Sequence, residues 1–350
     1  MKKIISHFIN GKRISNKGKN IKVFNPSNGK VINSLTCASK DIIDQAIISS
    51  QNAFNEWKDY SIAKRTEILF DYKVLLEKNK EKLAKIISED LGKVYYDALG
   101  EVRRGIDNVE YACGIGELLK GEYNKNISTE VDSWSEFTPL GTVLGITPFN
   151  FPAMVPMWMF PLALATGNSF ILKPSEKDPL GSIFITELFN KTKAPKGLLN
   201  LVNGDKKTVE TLISDKRIKA VSFVGSTPVA KKVYELSSIS GKRCQALGGA
   251  KNHALILSDA NIDYTTDQLI SAAFGSSGQR CMALSVAVVS VEIKNEFLKS
   301  LKEKVLKLKF GSEDLNSNSF GPLVTIEHLK SVENNIKMAE EEGAEIIVDG

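Results

Sequence analysis

The sequence predicts an α/β protein built around a parallel β-sheet. From residue 139 onward, short runs rich in β-branched and other apolar residues alternate with segments of helical periodicity. Strands that alternate with helices are typical of parallel sheets with right-handed crossovers. The part before residue 139 carries longer amphipathic patterns, and a chain of 350 residues with 42% hydrophobic content is long enough for two or three domains.

Turns and two helices are expected in the first hundred residues. Turn signals lie at residues 10–11 (Asn-Gly) and 25–29 (Asn-Pro-Ser-Asn-Gly). Apolar side chains then recur at helical spacing over residues 43–57 and 68–87, and the second pattern stops near Gly92. These two segments are therefore predicted to be helices with one buried face.

A third helix and a projecting arm are expected next. The helical periodicity resumes at Tyr95 and continues to Leu119. Residues 122–136 are polar and place Ser, Thr and Val in partial alternation, which favours a β-hairpin. We predict an arm that stands off the main body.

The strands of the parallel sheet are expected after residue 139, and their ends should carry functional groups because ligands bind beyond the carboxyl ends of parallel strands. The predicted strands are 142–147, 169–173, 199–203, 220–224, 254–257, 285–291 and 345–348. The predicted helices follow Pro152, Asp178, Lys207 and Ser226, span 261–274, and include one that ends at Glu342.

Charge and hydropathy indicate which partners to expect. The net charge is +5 and the pI is about 8.8, but basic and acidic residues are interleaved, as in Glu-Lys-Asn-Lys-Glu-Lys at 77–82. This pattern is typical of solvated helix faces, so we expect no nucleic-acid partner and no membrane partner. The N-terminus becomes polar too early for a signal peptide, and no apolar run approaches the length of a membrane span. We therefore expect a cytoplasmic location.

The four cysteines stand singly, at residues 37, 113, 244 and 281. No pair has the spacing of a metal site or a small disulfide framework, so we expect reduced thiols and no metal. Cys281 is distinctive because it follows Arg280 and a run of small residues, between a predicted helix and a predicted strand. A neighbouring cation favours the reactive thiolate, which makes Cys281 a candidate nucleophile. The alternative is a buried structural thiol, the commoner role of a lone cysteine.

Polar residues follow three of the predicted strands. Asn150 lies in a Pro-flanked segment after the first of these strands, where its amide could donate to a developing oxyanion. Lys173 and Glu176 suit the hydroxyl groups of a cofactor, and Ser226 opens a helix whose amides could hold a diphosphate. The alternatives stay open from the residues alone: Asn150 and Ser226 are also ordinary helix caps, and Lys173 and Glu176 an ordinary solvated turn.

Four motifs, taken in order and spacing, resemble the aldehyde dehydrogenase superfamily. They are Thr-Pro-Phe-Asn-Phe-Pro at 147–152, Lys-Pro-Ser-Glu at 173–176, Phe-Val-Gly-Ser-Thr at 223–227 and Gly-Gln-Arg-Cys at 278–281. The resemblance begins at the Ile-Asn-Gly of residues 9–11 and runs to the end of the chain. It implies an NAD-binding domain at 1–121 and 139–247, an oligomerisation arm at 122–138, a catalytic domain at 248–350, and assembly into a homo-oligomer, either a dimer or a tetramer.

The resemblance also implies roles for the matching residues. Cys281 attacks the aldehyde, and Asn150 together with the backbone amide of Cys281 stabilises the oxyanion. Lys173 and Glu176 face the adenosine ribose, and Ser226 faces the diphosphate. A glutamate beside the ribose repels a 2′-phosphate, which favours NAD over NADP. The remaining cofactor-binding positions implied by the likeness are Thr147, Phe149, Lys177, Gly225 and Gly248.

One departure from the superfamily pattern narrows the expected chemistry. Hydrolytic members carry Glu-Leu-Gly-Gly-Lys, whose glutamate activates the deacylating water, whereas this chain has Gln-Ala-Leu-Gly-Gly-Ala-Lys-Asn-His at 245–253. The glutamate aligns with Leu247 or with Ala246, and neither side chain accepts a proton. We therefore expect a thioacyl enzyme that awaits a better nucleophile than water, such as the thiol of coenzyme A.

Within the superfamily, the Gly-Ala-Lys-Asn-His run and residues 100–110 and 279–281 are similar to methylmalonate-semialdehyde dehydrogenases. That likeness implies NAD-dependent oxidation of methylmalonate or malonate semialdehyde, loss of CO2, and acyl transfer to coenzyme A that gives propionyl-CoA or acetyl-CoA. Arg104 and Arg280 match the positions that hold the substrate carboxylate, a task that suits a guanidinium group. From the sequence alone, Arg104 is more readily explained as an exposed helix charge.

Two alternatives stay open. The chain could oxidise an aldehyde that carries no carboxylate, in a hydrolytic or an acylating reaction. Superfamily members also continue past the point that corresponds to Gly350, where a Glu-Glu-x-Phe-Gly-Pro motif contacts the nicotinamide ribose. The chain is therefore expected to end inside the catalytic domain, and it could persist as an inactive NAD-binding chain or oligomer partner.

Overall fold

The computed structural model describes residues 3–311 and 319–349, in which strands and helices alternate after residue 139 as the sequence predicts. The strands are β1 Lys3–Ile5, β2 His7–Ile9, β3 Lys12–Ile14, β4 Asn20–Phe24, β5 Val31–Thr36, β6 Tyr123–Ser128, β7 Val131–Trp134, β8 Thr142–Ile146, β9 Ser169–Lys173, β10 Leu199–Leu201, β11 Ile218–Val224, β12 Arg243–Leu247, β13 Asn252–Ile256 and β14 Leu284–Val289. The helices are α1 Lys40–Trp57, α2 Ile62–Leu91, α3 Tyr95–Cys113, α4 Ile115–Leu118, α5 Met154–Ala165, α6 Leu180–Phe189, α7 Lys206–Ser214, α8 Thr227–Ile239, α9 Ile262–Phe274, α10 Lys294–Val305 and α11 Ile326–Glu341. None of the helices in the described ranges is long and apolar enough to cross a membrane.

The described residues fall into two compact units. The first unit is drawn from Met1–Val23, Val31–Ile86 and Leu99–Gly248, and the second from Phe24–Lys30, Ile87–Ala98 and Gly249–Gly350. The assignment of cofactor binding to 1–121 and 139–247, and of catalysis to 248–350, stays a prediction.

A seven-stranded sheet organises the first unit, with the strand order β12-β11-β8-β9-β10-β2-β3. Strands β8 to β12 run parallel, and β2 and β3 extend one edge in antiparallel pairing. The chain moves outward from β8 through β9 to β10, and then returns to the other side of β8 to form β11 and β12. The strand order therefore reverses between β8 and β11, and ligands bind at such a reversal, beyond the carboxyl ends of the strands.

Helices cover both faces of the central strands. All five residues of β8 are buried, as expected for a parallel strand between two helical layers. On one face, apolar residues of α1, α7 and α8 form a single core with the sheet. On the other face a Cβ at Gly145 would overlap the ring of Phe170, from the neighbouring strand β9, and would approach the sulfur of Met159 in α5. Packing alone therefore requires glycine at position 145.

A smaller parallel sheet, made of β13 and β14, organises the second unit. Its core is a cluster of Ile256, Leu269 and Phe297, contributed by β13, α9 and α10. Helix α9 begins at the N-cap Asn261, whose side chain accepts a hydrogen bond from the N–H of Tyr264 at 2.9 Å. The helix ends in a 3₁₀ turn at Gly275–Gly278, which leads directly to the loop of Cys281.

Strands β6 and β7 form an antiparallel two-stranded hairpin where the sequence predicts an arm. Its large side chains are exposed, among them Tyr123, Ile127 and Trp134. The role of this hairpin in oligomerisation stays a prediction.

The structure corrects four expectations. The N-terminal stretch forms strands β1 to β5, which sequence analysis misses because strands of three to six residues show too little alternation. It also misses β12, whose Arg-Cys-Gln-Ala-Leu sequence contains no β-branched residue. The helix expected to reach Leu119 ends at Cys113, and Gly114 separates it from α4. The strand expected at 345–348 is wrong, because the described residues after α11 have no strand beside them with which to pair.

Candidate active site

The carboxyl ends of β8, β9 and β11 lie at one edge of the first unit's sheet. Ile146 of β8 pairs with Lys173 of β9 on one side and with Phe223 of β11 on the other. The segments 147–150 and 174–177 therefore start at the same edge, one on each of two neighbouring strands. We call the residues 147–150, 173–177 and 225–226 the cofactor edge.

Thr147 contributes a buried hydroxyl to the cofactor edge. Its backbone N–H donates to the carbonyl oxygen of Lys173 at 3.1 Å, which continues the pairing of β8 with β9. Its Oγ1 is buried, and no hydrogen-bond partner for it exists within the part of the chain that the structure describes. Leaving such a group unsatisfied costs about 1–3 kcal/mol, so the hydroxyl suits a ligand that supplies the missing bond. A dinucleotide, rich in hydroxyl and phosphate oxygens, fits this requirement.

Lys173 and Glu176 form an ion pair at the same edge. The distance from Nζ to Oε2 is 2.9 Å, and the lysine side chain is buried while that of the glutamate is 35% exposed. Burial opposes ionisation of Glu176, but the charge of Lys173 and its hydrogen bond outweigh burial and hold the pKa of Glu176 below its ordinary value. The carboxylate is therefore ionised at neutral pH, where it can accept hydrogen bonds from ribose hydroxyls and repel a 2′-phosphate.

The other predicted cofactor residues of the first unit also suit a dinucleotide. The Nζ of Lys177 lies 4.8 Å from the ring centroid of Phe149, a cation–π contact. Gly225 precedes the exposed Ser226, which is the N-cap of α8 but makes no capping bond with its side chain. The first-turn amides and the dipole of α8 suit an anionic diphosphate there. Gly248 packs against α8 so tightly that a Cβ would come within 2.9 Å of a threonine side chain.

Asn150 lies between β8 and α5, as the sequence predicts, and it is half-buried. Glu101, a buried carboxylate on α3, holds the start of α5. Its Oε1 accepts hydrogen bonds from the backbone N–H groups of Ala153 at 2.9 Å and Met154 at 3.2 Å. A carboxylate at this position satisfies helix amides that have no intrahelical partner. Because only two residues separate Asn150 from Ala153, Glu101 also restricts the position of Asn150.

Cys281 lies in an irregular loop of the second unit, between the 3₁₀ turn and β14. We call residues 275–281 the nucleophile loop. Ser276, Ser277 and Gly278 have φ angles of 51°, 57° and 69°, which is one turn of left-handed backbone. This conformation costs an L-residue roughly 1–2 kcal/mol, so other interactions must hold it. The thiol of Cys281 is unpaired with any other cysteine and half-buried.

Two side chains from outside hold the nucleophile loop. Asp97, near the start of α3, accepts a hydrogen bond from the backbone N–H of Ser276 at 2.8 Å. Asn252, at the start of β13, donates from Nδ2 to the carbonyl oxygen of Cys281 at 2.9 Å, and to that of Ala283 at the same distance. The backbone is therefore fixed before and at the nucleophile.

The two predicted carboxylate-binding arginines have different surroundings. Arg280 forms an ion pair with Asp97, with Nη2 and Oδ1 2.8 Å apart and both side chains about one-quarter exposed. The cation that the sequence places next to the nucleophile is thus already paired with a carboxylate. Arg104 is 77% exposed, and its contact with Asp107, at 3.8 Å, is a weak surface pair.

The positions that align with the hydrolytic glutamate lie at the end of β12. Leu247 pairs with Val224 of β11 and is half-exposed. Ala246 packs against the apolar core of the first unit. Neither position carries a group that could take a proton from water.

Sequence reasoning missed Asp97, Glu101 and Asn252. A signal for Glu101 was present, because it falls on the apolar stripe of α3 between Ala98 and Val102, and a carboxylate on a buried face needs partners. Asp97 and Asn252 leave no such signal, since their partners are distant in sequence.

Polar side chains at the strand reversal of a parallel sheet, and a cysteine in a tightly held loop, are the arrangement that the sequence predicts for an oxidoreductase of α/β fold. The model of the aldehyde dehydrogenase family matches residues 13–350. The chain therefore belongs to the aldehyde dehydrogenase family, and the predicted family and fold class are confirmed.

Three relatives show the similarity in detail. Malonate-semialdehyde dehydrogenase of Pseudomonas aeruginosa is 47% identical over 347 residues, which cover 99% of this chain and 70% of that protein. Methylmalonate-semialdehyde dehydrogenase of Oceanimonas doudoroffii has a crystal structure with a TM-score of 0.97 and 48% identity, covering 100% of this chain and 72% of that one. A Sinorhizobium meliloti 1021 protein described as a methylmalonate-semialdehyde dehydrogenase, crystallised with NAD, has a TM-score of 0.96 and 40% identity, with 100% and 72% covered.

Proposed function

We propose that this chain carries out NAD-dependent, coenzyme A-acylating oxidation of malonate and methylmalonate semialdehyde. The names of the relatives at 47% and 48% identity support this substrate class. The observation that carries the choice of acceptor is the apolar pair Ala246 and Leu247, where hydrolytic members have a glutamate. The overall reaction consumes the semialdehyde, NAD+ and coenzyme A, and it yields an acyl-CoA, NADH and CO2.

Cys281 is the proposed nucleophile. Its thiolate adds to the aldehyde carbon, so that a carbon–sulfur bond forms and negative charge develops on the former carbonyl oxygen. The proposed donors to this oxyanion are the side-chain amide of Asn150 and the backbone N–H of Cys281. Removal of one such donor typically costs about 10²–10³ in kcat.

The cofactor edge is proposed to bind NAD, which supplies the hydride acceptor. Thr147 offers a buried hydroxyl, and Glu176 offers an ionised carboxylate to the ribose. The amides at the start of α8, next to Ser226, are suited to the diphosphate. The carboxylate of Glu176 is also the reason to propose NAD over NADP.

The thioacyl enzyme is proposed to lose CO2 before acyl transfer. A carboxylate on the carbon next to the thioester leaves readily, because the carbonyl stabilises the electron pair left on that carbon, and this carbon is then protonated. The coenzyme A thiolate attacks the thioester, and the Cys281 thiolate departs. Water competes poorly because neither Ala246 nor Leu247 can activate it.

The substrate carboxylate is proposed to bind Arg280, with Arg104 as a second candidate. Arg280 is adjacent to the nucleophile in the chain, and its guanidinium is held by Asp97. Arg104 would have to leave the surface pair with Asp107, which costs little.

The decisive measurement is NADH formation from malonate semialdehyde with and without coenzyme A. Without it, we expect a burst of at most about one NADH per chain as the thioacyl enzyme accumulates. With it, we expect steady turnover, together with acetyl-CoA and CO2. Propanal serves as the control aldehyde without a carboxylate.

The same assay distinguishes the proposed function from the alternative functions. Equal steady turnover without coenzyme A would indicate a hydrolytic enzyme. Equal kcat/KM for propanal would indicate that carboxylated aldehydes are not the preferred substrates. Binding of NAD by calorimetry, with no NADH formed from any aldehyde, would support a chain that binds the cofactor without catalysis.

A further inference from the structure

We propose that Asp97 and Gly275 form a socket that fixes the guanidinium of Arg280, and that Asp97 is thereby a positioning residue for carboxylate recognition beside Cys281. The identity of the substrate rests on the proposed function. The socket itself is a property of the second unit, to which all four residues belong.

Asp97 uses both carboxylate oxygens on the nucleophile loop. Oδ1 lies 2.8 Å from Nη2 of Arg280, and Oδ2 accepts hydrogen bonds from the backbone N–H of Ser276 at 2.8 Å and from its hydroxyl at 3.2 Å. Bonds to both oxygens fix the plane of the carboxylate and, through it, the direction of the guanidinium. Such charge-assisted hydrogen bonds are about twice as strong as neutral ones.

Gly275 forms the floor of the socket. A Cβ built there would overlap the guanidinium of Arg280, so the guanidinium occupies the space of a missing side chain. Gly275 has φ −54° and ψ 135°, which any residue adopts without strain. The backbone at position 275 therefore accepts any residue, but a side chain there would displace the guanidinium of Arg280 from its present position.

The socket leaves part of the guanidinium available to a ligand. Nη2 bonds Asp97, and Nη1 makes a long contact of 3.4 Å with the carbonyl oxygen of Ser271. No bond of Nε is found in the described ranges, and about a quarter of the side chain is exposed. The remaining N–H groups can donate to a carboxylate, the group that a guanidinium fork binds best.

Orientation and charge predict opposite effects of removing Asp97. Its negative charge partly cancels the positive charge of Arg280. If only net charge mattered, a variant without Asp97 would attract a carboxylate more strongly. If orientation matters, as the socket requires, that variant attracts a carboxylate less.

Alkylation of Cys281 by iodoacetate and by iodoacetamide tests whether removing Asp97 weakens or strengthens the attraction of a carboxylate to this site. In both reactions the thiolate displaces iodide, and the reagents differ only in a carboxylate against an amide. At Cys281 of the full chain, peptide mass spectrometry gives the rate constant for each reagent. The measured ratio is the rate constant with iodoacetate divided by that with iodoacetamide, and it is normalised to the same ratio for glutathione. We expect the ratio to exceed one, and to fall about tenfold in Asp97→Ala and in Gly275→Ala, as for the loss of one charge-assisted hydrogen bond.

Further variants set the lower limit of the alkylation ratio, test its partial recovery and provide a control. Arg280→Ala should set the lowest ratio, and adding Asp97→Ala to it should lower the ratio no further. Asp97→Asn keeps an oxygen acceptor and should recover part of the wild-type ratio. Asp263→Ala is the matched control, because Asp263 also pairs with a cation of the second unit, Lys304 at 2.8 Å, and it should leave the ratio unchanged.

A ratio that rises in Asp97→Ala overturns the proposal, as does a wild-type ratio no higher than that of glutathione. If both alkylation rates fall in the socket variants while their ratio is unchanged, Asp97 only stabilises the loop, and the positioning role is rejected. The measurement needs neither NAD nor turnover. If the ratios behave as expected but malonate semialdehyde is not preferred over propanal, the socket stands and the proposed substrate fails.

Discussion

The cofactor edge and the nucleophile loop are built in opposite ways. At the cofactor edge, parallel strands end in register, so backbone hydrogen bonds decide where the side chains stand. In the nucleophile loop the backbone is left-handed over three consecutive residues, and side chains decide where the backbone stands. Asp97 and Asn252 do this by bonding the amide of Ser276 and the carbonyl of Cys281.

The difference shows where polar side chains are needed. A strand in a sheet satisfies its backbone groups through its neighbours, whereas an irregular loop must find other partners for each N–H and C=O. The start of α5 has the same need as the nucleophile loop, and there the partner is Glu101. Both carboxylates come from α3, one helical turn apart.

The largest expected effect is that of Cys281→Ala, which should abolish catalysis at the nucleophile loop without changing cofactor binding at the cofactor edge. Cys281→Ala should lower NAD reduction by malonate semialdehyde at least about 10³-fold, because no other group of the loop can form the thioacyl intermediate. The affinity for NAD, measured by calorimetry, should not change if the cofactor edge is independent of the thiol.

Cys244→Ala is the matched control for this variant, since Cys244 is a half-buried cysteine on β12. It should keep full activity. If Cys281→Ala retained activity, the proposal that Cys281 is the nucleophile would be rejected. The proposed division of roles between the two regions would be rejected with it.

A second substitution, Leu247→Glu, tests whether the absence of a general base determines that the acyl group is transferred to coenzyme A and not to water. Leu247→Glu should raise steady NADH formation without coenzyme A by up to about 10², the lower range for a general base. Leu247 is half-exposed, so a carboxylate there is not buried, whereas Ala246→Glu would place one against the apolar core. Comparing the two variants decides which alignment is correct. If neither increases hydrolysis, the apolar pair is not what directs the acyl group to coenzyme A.

The same contrast explains what the sequence could and could not reveal. The ends of β8, β9 and β11 were predictable because buried apolar runs mark parallel strands, and register then aligns Thr147 with its neighbours. The loop around Cys281 was predictable as a segment of small residues between a helix and a strand, and as a motif, but its backbone conformation was not. Its left-handed turn depends on Asp97, which is 179 residues distant from Ser276 in the chain, and no local pattern records such a contact.

A third variant acts on the cofactor edge alone. Glu176→Gln should raise kcat/KM for NADP about tenfold relative to NAD, because it removes a carboxylate that repels the 2′-phosphate and leaves Lys173 to attract it. Alkylation of Cys281 should be unchanged. Glu187→Gln, which breaks the surface pair with Arg13, is the matched control. An unchanged cofactor preference would mean that Glu176 does not face the ribose.

The smallest expected effect concerns acid sensitivity, and it again distinguishes the units. The Nδ1 of the buried His7 accepts a hydrogen bond from the N–H of Asn203 at 3.1 Å, so Nε2 carries the proton, facing Asn16 at 2.7 Å. Burial lowers the pKa of His7, although the hydrogen bond with Asn16 raises it in part.

Because the folded pKa of His7 lies below the unfolded value of about 6.5, the unfolded chain binds a proton more readily as the pH falls. The stability associated with neutral His7 is therefore complete above about pH 6.5 and is lost as the pH falls through the folded pKa. Hydrogen exchange should show β2 and β10 losing protection as the pH falls below about 6.5, while β13 and β14 keep theirs. His253→Gln, at an exposed site of the second unit, should not alter this, whereas His7→Gln should reduce the pH dependence. Equal loss in both sheets would show that acid acts on the units through groups other than His7.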